Sequence, residues 1–316
     1  MKHFLCKCLI YTGLLGSISA ILFLVWFFIF IHGKMKNNYD SAIEIKMERL
    51  LNIPSPKIIL VGNSNLPFGI DSSMLERKLN MPCVNLGLNG GMGNAFYEKM
   101  ASMNIGKGDL VIILYTHYEE EINGPFFWGF YFSTKMFNNP LFPVSLLLKQ
   151  LYALPAFMKY MVVESVKKRL SGNTPGKYAH IYSRSSFNIY GDIAVDRPGA
   201  FCADIPPYIP VIEPATVKRL NKWHEEIQQK GAFLLAASYP VYAGKNVADK
   251  EKMLDFQMKL QKELSFPVIS DFREYYFPPE YFFDSCLHLT KDGAEKRTAL
   301  LIKDIENWRK KYTAIP

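Results

Sequence analysis

Cysteine is scarce, with five in 316 residues. Cys6 and Cys8 lie at the edge of an apolar run, which leaves Cys83, Cys202 and Cys286 in the body of the chain. That odd number, without a CxxC pair or a Cys/His spacing, argues against a disulfide framework and a structural zinc site. No cofactor or metal is expected. Charge of one sign is never concentrated: 37 Lys+Arg stand against 29 Asp+Glu, a net +8 spread through the chain. Without a basic block interleaved with aromatics, a nucleic-acid surface is not expected. Glycine (20) and proline (19) are at ordinary levels and no internal repeat is visible, which excludes collagen-like, low-complexity and solenoid architectures.

Hydrophobic residues make up 49% of the chain, and they are unevenly placed. The run from Cys8 to Ile31 carries no charge. Roughly 20 apolar residues suffice to cross a hydrocarbon layer of about 30 Å. The run ends in bulky Trp26, Phe27, Phe28 and Phe30 rather than in a small-x-small cleavage site, so an uncleaved signal anchor is expected. The expected organisation is a short basic tail at 1–7, an anchor at 8–32, a juxtamembrane stalk at 33–52 and a folded domain at 53–316.

Within that domain short apolar runs alternate with amphipathic ones. Strands are expected at Lys57–Val61, Cys83–Leu86, Asp109–Tyr115, Ala232–Ser238 and Pro267–Ser270. Helices are expected after a capping box at Ser73-x-x-Glu76, after the glycine-rich turn Gly87–Gly93, over Thr216–Lys230 and Val247–Leu264, and from Lys291 to Lys311. Alternation with short links predicts an α/β fold with a parallel sheet and helices on both faces. An aromatic-rich insertion at about 119–210 interrupts it, including Phe126–Phe132 and a stretch from Leu141 to Met161 that Pro143 and Pro155 break into pieces too short to span. This insertion either packs on the sheet as helices or forms a lid or membrane-contacting element beside the crevice.

Chemistry in open α/β sheets sits beyond the carboxyl ends of the strands. Gly62-Asn63-Ser64-Asn65 follows the first strand there. Asp284 and His288 share one loop ahead of the final helix. A nucleophilic serine needs an imidazole to take its proton and a carboxylate to orient that imidazole, so Ser64, His288 and Asp284 supply the three types. The alternative for the pair is structural, with Asp284 capping the helix region and His288 packed in the core.

These residues, in this order, resemble the SGNH or GDSL-like hydrolase superfamily over about Ile58 to Ile305. Gly62-Asn63-Ser64 is similar to its first block, Val84-Asn-Leu-Gly-Leu-Asn-Gly90-Gly91 to its second, and Asp284 with His288-Leu-Thr-Lys-Asp-Gly293 to its last. The resemblance implies a three-layer α/β/α fold with a flavodoxin-like parallel sheet, a Ser64 nucleophile, and an oxyanion hole to which Gly90 contributes its amide. The sequence departs from the family twice. The asparagine that follows the third strand is replaced by Thr116-His117-Tyr118, leaving His117 or Tyr118 as candidate donors beside Asn63. Three residues separate Asp284 from His288, where two are usual.

The apolar amino terminus, the segment Ser186-Phe-Asn-Ile-Tyr-Gly-Asp192 and Phe282–Leu289 also resemble the membrane-anchored branch found in teichoic acid D-alanylation and alginate O-acetylation. That likeness implies an extracytoplasmic acyltransferase or esterase acting on O-acyl, above all acetyl, groups of a cell-envelope polysaccharide. The implied partners are the glycan, the lipid bilayer and a membrane-bound O-acyltransferase. The alternative is a catalytically degenerate domain that binds glycan or scaffolds such an acyltransferase. Flanking positive charges are nearly balanced across the apolar run, so topology is directly testable. A reporter active only in the cytoplasm, fused after Pro316, should be silent in cells. Strong signal would reverse the assigned orientation.

Overall fold

The computed structural model describes residues 2–118, 123–134, 140–170, 176–199, 201, 209–243 and 250–313. It is a mixed α/β structure built on a parallel four-stranded sheet. The apolar helix α1 (Lys2–Met35) leads through a 3-10 turn (Tyr39–Ala42) into α2 (Ile43–Asn52). Then follow β1 (Ile58–Val61), α3 (Ser72–Leu79), β2 (Cys83–Asn85), a 3-10 turn at Gly90–Met92, α4 (Asn94–Ala101) and β3 (Leu110–Ile113). The insertion contributes α5 (Gly124–Ser133), α6 (Val144–Gln150) and α7 (Leu154–Leu170). Next come α8 (Pro214–Gln229), β4 (Phe233–Ala236), β5 (Val241–Tyr242), α9 (Lys250–Glu263), β6 (Tyr276–Phe277) and α10 (Lys291–Thr313). The sheet order is β2-β1-β3-β4, and β5 pairs separately with β6.

The strands of the four-stranded sheet are only three or four residues long, and every β1 and β3 residue is buried. Successive side chains point to opposite faces. Ile59, Val61, Val111 and Ile113 join one core with Tyr97 and Met100 of α4, Trp223 and Ile227 of α8, and Phe256 of α9. Ile58, Leu60, Leu110 and Ile112 join the other with Leu75 of α3 and Leu301 and Ile305 of α10. Each fully buried aliphatic contributes roughly 1.5–3 kcal/mol, against about 1 kcal/mol for a net hydrogen bond. Packing on the two faces, more than the short ladder, holds the sheet.

The N-cap of α3 is Asp71, whose carboxylate accepts from the Met74 amide, instead of the expected Ser73. Asp71 has the extended backbone a cap requires, whereas Ser73 already lies inside the helix. Pro267–Ser270 makes a single bridge, Ala236 to Val268, in place of a strand. Pro143 caps α6 and Pro155 sits in the first turn of α7, where no backbone donor is lost, so the prolines bound helices rather than break them. Residues 126–132 are no detached cover: Phe127, Trp128, Phe130 and Phe132 of α5 are buried in the main core. Residues 39–52, expected as a stalk, also pack into the body through Asp40, Ala42, Ile43, Lys46 and Leu50. The Lys46 ammonium donates to the carbonyls of Asn85 and Gly191, which ties α2 to the end of β2.

One buried ion pair sets the entrance to the sheet. Lys57 Nζ lies 2.9 Å from Asp109 Oδ2, both side chains fully buried. The same carboxylate accepts from the Lys57 and Gly106 amides. Removing one partner leaves an uncompensated buried charge, at about 3–5 kcal/mol. Asp109→Ala should therefore lower stability by that amount, measured as the urea midpoint of the full chain in detergent. Lys57→Met with Asp109→Leu together should restore much of it.

Candidate active site

Ser64 lies three residues beyond β1, in a turn closed by Leu66 N to Asn63 O and Phe68 N to Ser64 O. The turn is pressed against its surroundings. A side chain on Gly87 would come within 2.4 Å of Leu66 Cβ and 2.5 Å of the Asn63 carbonyl, so only glycine fits where the loop after β2 passes. Gly69 is as tightly held, since a Cβ there would lie 2.4 Å from the Asn65 carbonyl oxygen.

The turn is wired from beneath by polar side chains. Asn63 Oδ1 accepts from the Asn65 amide and from Asn65 Nδ2, and Asn65 Nδ2 also donates to Leu114 O at the end of β3. Arg297 of α10, fully buried, donates to the Asn65 carbonyl and side-chain oxygens, both at 2.8 Å, and to Ser238 O. Burial lowers its guanidinium pKa to about 9, and Tyr275 only partly offsets this.

The last loop brings the other half of the site. The amide of Phe283 donates to the carbonyl of His288, and Phe282 bridges Leu289, so residues 284–288 form a closed loop. That closure accommodates the extra residue between acid and imidazole: His288 Nδ1 lies 2.8 Å from Asp284 Oδ1. On its far side His288 Nε2 lies 2.9 Å from Ser64 Oγ. Three side chains named from sequence thus form one hydrogen-bonded chain.

Three further side chains hold it, and sequence reasoning missed them. Phe68 stacks on the imidazole, with ring centres 4.1 Å apart and planes at 14°. Arg197, buried, donates to the carbonyls of Phe68 and Leu289 and so clamps the stack to the last loop. Tyr182 donates its hydroxyl to Asp284 Oδ2 and lies 3.2 Å from His288 Nδ1. Burial alone would raise the Asp284 pKa, but the hydrogen bonds from His288 and Tyr182 outweigh it and hold the carboxyl below its ordinary range. Burial and the neighbouring carboxylate push the Tyr182 phenol up, so it stays a donor. A signal existed for Phe68, four residues after the serine in the same turn; none existed for Tyr182 in the insertion.

The oxyanion candidates fare unequally. Gly90 opens the 3-10 turn and faces Asn63, whose Cβ would be 3.6 Å from a side chain there. Asn63 Nδ2 donates to Thr116 Oγ1 and lies 3.5 Å from His117 Nδ1, which places His117 on the rim. Tyr118 is turned away: it is fully buried, edge-on to Tyr115 and Phe256, because the core behind β3 takes its ring. Among the described residues no cluster of His, Cys, Asp and Glu could hold a metal.

No family model and no curated protein matches this chain. Among solved structures it is similar to one provisionally named as a platelet activating factor from Streptococcus pneumonia. That match has 11% identity and a TM-score of 0.34, and covers 92% of this chain and 98% of the other. At that score the likeness carries no argument, and the geometry stands by itself.

The Tyr182 contact has a measurable sign. Because the folded Asp284 carboxyl is depressed, its stabilising contribution is complete above the ordinary carboxylate range and is lost as pH falls through the folded value. Tyr182→Phe removes one donor, so Asp284 should titrate at higher pH, its stabilising contribution should be smaller, and the loss should be complete at a higher pH. Carbon-13 NMR of labelled Asp, with Asp284→Asn to assign the signal, checks it; an unmoved titration would refute the role given to Tyr182.

Proposed function

We propose that this chain is an SGNH-like serine acyltransferase or esterase, with helical layers on both faces of its parallel sheet and its site held outside the cytoplasm by α1. The observation that carries the reading is the continuous contact from Ser64 Oγ through His288 to Asp284. In this reading His288 Nε2 takes the Ser64 proton as Oγ attacks an ester carbonyl. Asp284 holds Nδ1–H and stabilises the imidazolium. The imidazolium then returns the proton to the departing alcohol, and an acyl-serine remains. The amides of Ser64 and Gly90 would receive the oxyanion. A sugar hydroxyl or water, deprotonated by His288, takes the acyl group and frees Ser64.

The proposed substrate is an O-acyl group on a cell-envelope polysaccharide, with a membrane-bound O-acyltransferase as partner. The reading rests on the resemblance of the segment Ser186–Asp192 to the membrane-anchored branch; in the fold Asp192 accepts from the amide and hydroxyl of Ser72 and from Asn85 Nδ2, which ties that segment to α3 and the end of β2. A second reading has one observation in its favour. No asparagine side chain follows β3, and losing one oxyanion donor costs about 2.7–4 kcal/mol in a known protease. A degenerate domain that binds glycan or scaffolds the acyltransferase would tolerate that loss.

The two readings separate on substitution. Ser64→Ala and His288→Ala should each lower kcat for a small ester by at least about 10⁴-fold, and Asp284→Ala by less, with the fold intact by circular dichroism. Full retention of polymer acylation in cells carrying Ser64→Ala would replace the enzyme with the scaffold.

A further inference from the structure

A cavity of about 290 Å³ lies behind the glycine turn, near the lower end of the range for small-molecule sites. Met35, Phe126, Gly129, Phe157 and Tyr160 give it apolar walls, and Asp40 gives it one carboxylate. Met35 is the last residue of the apolar helix α1, so one wall is formed where that helix enters the folded body. Asp40 is linked to the catalytic side. Its Oδ1 accepts from Asn89 Nδ2 at 3.4 Å, and Asn89 caps the Gly90–Met92 turn by accepting from the Gly91 amide. Phe126 closes the same distance from the other direction, since a side chain on Gly91 would come within 3.1 Å of it. Gly91 adjoins Gly90, Gly90 faces Asn63, and Asn63 precedes Ser64.

The outer surface beside this cavity is apolar. Val144, Leu148, Leu151 and Tyr152 of the α6 region and Val162 and Val166 of α7 are exposed. Soluble surfaces rarely carry so extended an apolar stripe. It is continuous with α1: Lys34 donates to Ser165 Oγ at 2.9 Å, and Phe28, Phe132 and Phe157 contact in series. Both Ile10–Met35 and Val144–Lys167 are long and apolar enough to lie in or across a bilayer. Hydrocarbon is therefore the surrounding that fits the stripe and reaches the cavity wall.

We propose that the cavity takes the hydrocarbon chain of a membrane lipid. The walls fit a chain because Met35, Pro125, Phe126, Gly129, Phe157 and Tyr160 are apolar, while the polar side chains, Asn38 and Asp40, both come from the segment that follows α1, and Asp40 is the one that meets Asn89 at the glycine turn.

The test uses the full chain in phosphatidylcholine nanodiscs doped with phosphatidylcholine bearing a diazirine in its acyl chain. After illumination, label should map by mass spectrometry to α5 and α7 residues facing the cavity, Phe126 and Phe157 among them. Gly129→Leu fills the space and should reduce that label several-fold, while label on α1 and the outer face of α6 stays. Gly129→Ala, whose methyl would meet Met35 and Phe157 at 3.6 and 3.7 Å, should keep both fold and cavity label. Label confined to α1 and the outer faces in every protein would overturn the cavity.

Discussion

The imidazole of His288 is where the two ends of the folded body meet, and its placement is constrained from every side. Ser64 lies 224 positions earlier in the chain, and a 2.9 Å contact closes that interval. Such a contact survives only if both partners arrive already oriented, because ordering a free side chain opposes it. The structure supplies that order separately for each. Asn65 and Arg297 fix the serine turn, while Phe68 and Tyr182 fix the ring and its carboxylate. Arg197 connects the two sets by holding Phe68 and Leu289 at once.

The cost of this arrangement is concentrated in Arg297. Its charge is buried on carbonyl oxygens and one amide oxygen, and among the described residues its Nε has no hydrogen-bond partner. A buried cation of this kind stabilises poorly, since desolvation offsets most of what its hydrogen bonds contribute. Its geometric value is higher. α10 carries Arg297 nine residues after His288, so the same helix that follows His288 also reaches under the Ser64 turn, and the two halves of the site cannot shift independently.

What the residues revealed by themselves followed from distance along the chain. β1, β3 and β4 are short, continuously apolar runs between turn signals, which is how strands covered on both faces read. Ser64, Asp284 and His288 were legible because each stands at a strand or helix boundary, where chemistry is placed. Tyr182 was not: its contact with Asp284 spans 102 positions and begins in a segment with no strand or helix period. Residues 39–52 misled for a related reason. Their polar content suits a solvated stalk, yet Lys46 is paired with backbone carbonyls and Asp40 with Asn89, so burial was decided by partners that lie 39 to 145 positions away. Tyr118 and His117, neighbours in sequence, part company because one faces the core and the other the rim.

Tyr39 follows the apolar helix by only four residues, and its ring packs on Phe68, Tyr182 and Phe187. The apolar helix and the Ser64–His288 site therefore share one aromatic plate with no slack between them. A domain on a loose tether sweeps a hemisphere and can search in depth. With α1 seated in a bilayer, this one would be confined to a thin slab at fixed height, free to diffuse sideways but not to reach outward. Its encounters with any ligand held at that surface would then scale with the ligand's density per unit area, not with its concentration in the volume beyond.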